Sequence, residues 1–220
     1  MKNENIKDEN NLLKGYIMML YFSGSMVMFD PSTECVYDFW TKGMLKQLPV
    51  WSPNPDFVKA AALLRQSTER AQNKHELLKE DYLRLFSGIG KPLAPPVESV
   101  YRSDEHIMFD RNTEEIRNIY RKHSWESKFK NKIPDDHLGI ELLFLTYLIE
   151  KYINSQAILE RQSLTNEIVE FIQEHMLSWV PQWKDDVVNN ASTLAYRGIA
   201  LLVSASLEDI KKIIGENARK

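Results

Sequence analysis

The 220-residue sequence predicts an all-α, single-domain helical bundle of about eight to ten helices, on three observations. Apolar residues recur at helical spacing in segment after segment. No run keeps up the strict alternation of a half-buried strand. The strongest breakers are concentrated, with Gly88, Gly90, Pro92, Pro95 and Pro96 falling within nine residues. A chain 43% hydrophobic and 27% charged has enough apolar surface to bury a core, so disorder is not expected.

Leu12, Tyr16, Met19 and Leu20 put an apolar stripe on a first helix, expected to stop near Ser23-Gly24. A second helix is expected over Thr33–Leu45. Asn54-Pro55 starts a third, because asparagine caps free amides and proline costs nothing at the first helical position; Phe57, Ala60, Ala61 and Leu64 then share a face. His75–Phe86 makes a fourth with Leu77, Leu78, Tyr82 and Leu85 inward. The Gly/Pro stretch Gly88–Pro96 predicts a long, partly rigid loop, and Val97–Asp110 reads as partly extended.

Asn112-Thr113-Glu114-Glu115 reads as a capping box opening a helix through Tyr120. After Pro134 comes the most apolar segment, Leu138 to Tyr152, apolar nearly all round and so expected at the centre of the core. Two long helices follow, about Leu159–His175 and Lys184–Ser204, separated by Trp179-Val180-Pro181. Ser206 with Asp209 caps a short last helix. The domain is expected to span 1–220, with 1–8 and 216–220 frayed.

Several chemistries are excluded or poorly supported. A net charge of -3 removes the broad basic footprint of a nucleic-acid binder. The single cysteine, Cys35, permits no internal disulfide and no thiolate zinc cage. His75, His106, His123, His137 and His175 lack the three- or four-residue pairing of helical zinc sites. Ser87-Gly88-Ile89-Gly90-Lys91 lacks the spacing and preceding strand of a phosphate loop. No metal, cofactor or nucleotide site is expected. The longest apolar stretch, Tyr16–Phe29, is 14 residues, broken by Ser23-Gly24-Ser25, and too short for a bilayer. The mixed-charge start is unlike a signal peptide, so a cytoplasmic location is expected.

Two clusters remain. Asp81-Tyr82-Leu83-Arg84-Leu85-Phe86 is followed by Pro95-Pro96-Val97-Glu98-Ser99-Val100-Tyr101, and later comes Ile133-Pro134-Asp135-Asp136-His137-Leu138-Gly139-Ile140-Glu141-Leu142. In the latter, Asp135 or Asp136 is positioned to cap the helix, and His137 and Glu141, four apart, share a side and can pair. Capping explains this segment as well as function does, and the proline-rich cluster reads equally as a pin for a long loop.

The ordered set of these motifs resembles the TorD/DmsD family, cytoplasmic chaperones that mature twin-arginine-exported molybdoenzymes. The resemblance rests on Tyr82–Phe86, Pro95–Tyr101 and Pro134–Leu142, with weaker likeness at Asn112–Tyr120, His175–Trp183 and Tyr196–Ala200. It implies an all-helical fold, no catalysis, and binding of the signal peptide and apo catalytic subunit of a molybdopterin oxidoreductase until its cofactor is inserted. It further implies that Leu85, Phe86, Pro96, Asp136 and His137 form the peptide surface, supported by Pro134, Glu98 and Tyr101, with Tyr21 a weaker member. Val97 departs from the family, which often carries tryptophan there.

A twin-arginine leader presents two guanidinium groups and then an apolar stretch. Asp135, Asp136 and Glu98 suit the first, and Leu85, Phe86, Val97 and Leu138 the second, with Glu141 beside His137. A chaperone of a non-exported client, or a helical metal-dependent hydrolase using His137, Asp136 and Glu141, are the alternatives. A monomer is expected, with Gly88–Pro96 as a hinge through which copies can exchange elements.

Overall fold

Helix α1 (Lys2–Met28) runs past the expected stop at Ser23-Gly24 in the structure, a computed structural model. The structure describes residues 2–31, 47–69, 74–88, 90–102 and 111–217. Gly24 continues the helix because it lies against another helix: a Cβ there would sit 3.6 Å from Gly139 Cα. The close packing of two backbones offsets the conformational cost of glycine within a helix.

The expected helix Thr33–Leu45, with Cys35, lies outside the described residues. Helix α2 (Pro55–Glu69) starts as expected, with the Asn54 Oδ1 accepting from Asp56 N at 3.0 Å and Phe57, Ala60 and Leu64 buried. Helix α3 (Lys74–Tyr82) buries Leu78, Asp81 and Tyr82, but Leu77, expected inward, is 51% exposed. Leu78, Asp81 and Tyr82, at i, i+3 and i+4, make its inward face, and Leu77 falls outside it. The helix then widens into a π-helical turn, Leu83–Ser87.

The loop after it is held to that turn by Leu93 N to Arg84 O (3.2 Å) and Ala94 N to Leu85 O (2.9 Å). Where extended chain was expected, Glu98–Arg102 forms a short helix, α4; 103–110 lie outside the described residues. Helix α5 (Arg111–Lys122) appears as expected, although the side chain of its expected cap, Asn112, lies outside the described residues.

Helix α6 (Leu138–Asn154) is buried nearly all round, as its composition predicts, and packs on α1. Helix α7 (Ile158–Phe171) ends in a second π-helical turn, Ile172–Met176. The single helix expected over Lys184–Ser204 is two: α8 (Val180–Asn190) and α9 (Leu194–Asn217). The separation expected at Trp179-Val180-Pro181 is there, with the break at 177–179 and Pro181 in the first turn of α8, where its missing N–H costs nothing.

The break falls at Ala191–Thr193, where the buried Asp81 carboxyl accepts from Ser192 N (3.0 Å) and Thr193 N (2.8 Å). A cap supplied by another helix is invisible to local periodicity. Ser206, expected to cap a last helix, is instead buried inside α9. Among the described residues there are nine helices and no named strand, an all-α fold in which α9 packs on α2, α8, α1 and α7. No helix among them is long and apolar enough to cross a membrane.

Candidate functional site: a hydrogen-bonded seam over a buried acid node

The two sequence clusters meet. Val97 and His137 form an antiparallel bridge, flanked by Glu98 N to Asp136 O (2.9 Å) and Leu138 N to Pro96 O (2.8 Å). Pro95-Pro96 presents an extended edge that cannot fold back into helix, and Pro134 does the same for the second segment. Two proline-stiffened segments thus zip together, Val97 meeting a residue 40 positions on.

The side chains continue the seam. Asp136 Oδ2 accepts from Ser99 N at 3.1 Å, so Asp136 caps α4 rather than its own helix. The cap of α6 is His137, whose Nδ1 accepts from Gly139 N at 3.0 Å. This corrects the expectation that Asp135 or Asp136 caps α6. Asp135 turns outward to Arg117 Nε (2.6 Å), and its carbonyl accepts from Tyr120 Oη (2.9 Å). His137 makes no ion pair with Glu141: burial pushes its imidazole down to about 3, leaving a neutral ring that serves as an acceptor.

Beneath the seam lies an acid node of Glu98, Asp136 and Glu141, each fully buried. Arg102 Nη1 reaches Glu98 Oε1 at 2.5 Å and the Glu174 carbonyl at 3.1 Å. His175 Nδ1 stands 3.3 Å from the same Glu98 oxygen. Burial, then the charges of Glu98 and Asp136, push the Glu141 carboxyl well up, favouring its protonated form. Glu98 Oε2, Asp136 Oδ1 and both Glu141 oxygens are buried without a hydrogen-bond partner. Trp179, stacked on Tyr101 at 5.4 Å, closes the far side, with its indole N–H also unpartnered.

Leu85 and Phe86 lie in the first π-helical turn, adjoining the seam through the Ala94 amide. Phe86 packs against Trp183 (6.2 Å) and Tyr196 (5.3 Å), and exposed Leu83 and Leu93 flank the turn. The structure therefore brings together Leu85, Phe86, Pro96, Val97, Glu98, Tyr101, Pro134, Asp136, His137 and Glu141. Most of these are buried; Pro134 and Tyr101 are half-buried. Tyr21 is 41% exposed on α1.

Sequence reasoning missed Arg102, and it left His175 and Trp179 only inside a motif. The His-x-x-x-Trp spacing was the available signal for the last two. Beside Pro134 and Asp135 opens a cavity of about 460 Å³ lined by Arg117, Tyr120, Trp125 and Lys132. Among the described residues no group of three His, Cys, Asp or Glu has the geometry to hold a metal ion.

Comparison with known proteins gives consistent matches. The family model described as nitrate reductase delta subunit matches residues 53–185. A probable Tat proofreading chaperone DmsD of Haemophilus influenzae is 26% identical over 59% of this chain and 58% of its own length. A chaperone protein TorD of Aliivibrio fischeri is 27% identical over 89% of this chain and 93% of its own length. The Tat proofreading chaperone DmsD of Salmonella typhi is 24% identical, over 61% of each chain.

Proposed function

We propose, from the premise that this chain belongs to the nitrate reductase delta subunit family with the TorD and DmsD chaperones, that it is a maturation chaperone for a redox enzyme and not an enzyme itself. Its client is the precursor of a molybdenum-dependent oxidoreductase, recognised by a twin-arginine signal peptide and held until the cofactor is in place. The chaperone works in the cytoplasm, before export of the client.

The observation that carries the reading is the seam of Val97-Glu98 on Asp136-His137, with unfilled buried acceptors directly beneath it. Arginine suits such acceptors because its planar fork carries five donors and keeps its charge when partly desolvated. The leader's apolar stretch then has Leu83, Leu93 and the Leu85-Phe86 turn beside it. Asp136 and His137 serve the peptide by holding the seam in register, and Glu98 supplies the buried carboxylate for its charge.

The test is calorimetric titration of the protein with the leader of a molybdenum oxidoreductase encoded beside its gene. We expect a dissociation constant on the order of 1 μM, corresponding to about 8 kcal/mol. Replacing both arginines by lysine should weaken binding at least tenfold, and Asp136→Asn or His137→Ala should weaken it without unfolding the chain. Unchanged affinity for the lysine peptide would sink the twin-arginine reading, and no binding to any such leader would sink the client assignment.

A further inference from the structure

We propose that Arg102 is a built-in placeholder: in the free chain its guanidinium holds the cation position of the Glu98–Asp136–Glu141 node, and an arginine of the client peptide displaces it. The proposal deepens the reading above and rests on it for the identity of the incoming cation.

Arg102 is the last residue of α4, and its side chain is 29% exposed while the Glu98 carboxyl beneath is fully buried. Among the described residues, the Arg102 side chain covers the Glu98 carboxyl on its solvent side. Its two bonds, to Glu98 Oε1 and to the Glu174 carbonyl, both run through Nη1. Rotation about the side-chain torsions releases both bonds without disturbing the α4 backbone, whose amide at Ser99 is held separately by Asp136.

The node has more acceptors than Arg102 uses. Glu98 Oε2 and Asp136 Oδ1 are buried and unpartnered, which is costly unless something fills them part of the time. An ammonium has three donors around one point, whereas a guanidinium spreads five over a plane and can reach several carboxyls together.

Exchange of one guanidinium for another also avoids ever leaving the acid group uncompensated, the state that makes broken buried ion pairs costly. His175 Nδ1, without a hydrogen bond of its own, lies 3.3 Å from Glu98 beside the position where the cations change places. A placeholder lowers apparent affinity by the fraction of time it occupies the site, so removing it tightens binding.

The experiment uses the full chain and fluorescence anisotropy with a labelled twin-arginine leader, comparing wild type with Arg102→Ala, Arg102→Gln and Glu98→Gln. Arg102→Ala should bind roughly tenfold more tightly, and Arg102→Gln, which keeps the stem and a donor, less so. Glu98→Gln should lose most of the preference for arginine over lysine peptides. Methylguanidinium, added to each protein during thermal unfolding, should raise the midpoint of Arg102→Ala but not of wild type.

If wild type binds the leader and neither Arg102 variant binds it more tightly, Arg102 is a structural ion pair; the placeholder is overturned and the chaperone reading stands. If wild type binds no leader but methylguanidinium stabilises Arg102→Ala alone, the node takes guanidinium and the chosen client is wrong. If neither response occurs, both fail. Should Arg102→Ala not fold, Arg102→Gln carries the same comparison.

Discussion

Two buried residues of the seam should make stability depend on pH in opposite directions. The His137 imidazole has its proton affinity lowered by burial to about 3, against 6.5 when unfolded. Below 6.5 the unfolded chain takes up a proton that the folded chain refuses, so stability falls as pH drops through that window, by up to about 1.4 kcal/mol per pH unit. Glu141 is shifted the other way, by burial first and then by Glu98 and Asp136. Its contribution is fully present below 4.5 and is lost as pH rises toward its raised folded value. Glu141→Gln mimics the protonated acid, so its melting temperature should exceed that of wild type more at pH 8 than at pH 5. His137→Asn keeps a capping oxygen but cannot titrate. Its urea midpoint should therefore decline less between pH 6.5 and pH 4 than that of wild type. Parallel pH profiles in either comparison would contradict the assigned protonation states. Val97 is buried under the bridge to His137, so it packs the seam from within.

Elements here are positioned by contacts between helices at a few places of small size or exposed backbone charge. Where α1 crosses α6, a Cβ on Gly139 would come within 2.2 Å of Met28 Cγ and 3.1 Å of the Gly24 carbonyl, whereas a Cβ on Gly24 meets nothing closer than 3.6 Å. Gly139→Ala should therefore destabilise the protein by about 1–3 kcal/mol through overpacking. Gly24→Ala, in ordinary contact, should be neutral or stabilising, since alanine favours the helix by about 1 kcal/mol. Denaturant titration of the pair checks the contrast. At the other end, Asp81 holds the start of α9 through two backbone amides and Thr193 Oγ1, and pairs with Arg84. Asp81→Ala leaves those donors without partners and should cost about 3 kcal/mol, read as a lowered unfolding midpoint. The two π-helical turns are the same kind of device. Each holds residues that lie beside the seam or its acid node, Leu85-Phe86 in one and Glu174-His175 in the other. Such turns recur at working sites because one wide turn re-aims side chains without ending the helix.

At the scale of the whole molecule, the seam is a place where the bundle is held by backbone bonds between loops rather than by packed helices. Helices α2 and α9 pack along their length, but α4 is tied to the segment before α6 by a handful of hydrogen bonds. Opening is expected first where such bonds are few. Hydrogen exchange should show a bound twin-arginine leader changing protection at Glu98, Ser99, Leu138 and Gly139 while the α2–α9 pair stays as it was. Change spread evenly over the bundle would argue against binding at the seam. The sequence by itself determined the all-helical class, the centrality of Leu138–Tyr152, the start at Asn54-Pro55 and the identity of the two clusters, because periodic burial and cap chemistry are local properties. It misread the stop of α1, the break between α8 and α9, and the residue that caps α6. Only the tertiary structure decided those, since Gly24 is answered by Gly139, Ser192 and Thr193 by Asp81, and Asp136 by Ser99. A residue's partner across 37 or 111 positions depends on where the assembled helices set it down, and no local pattern carries that distance.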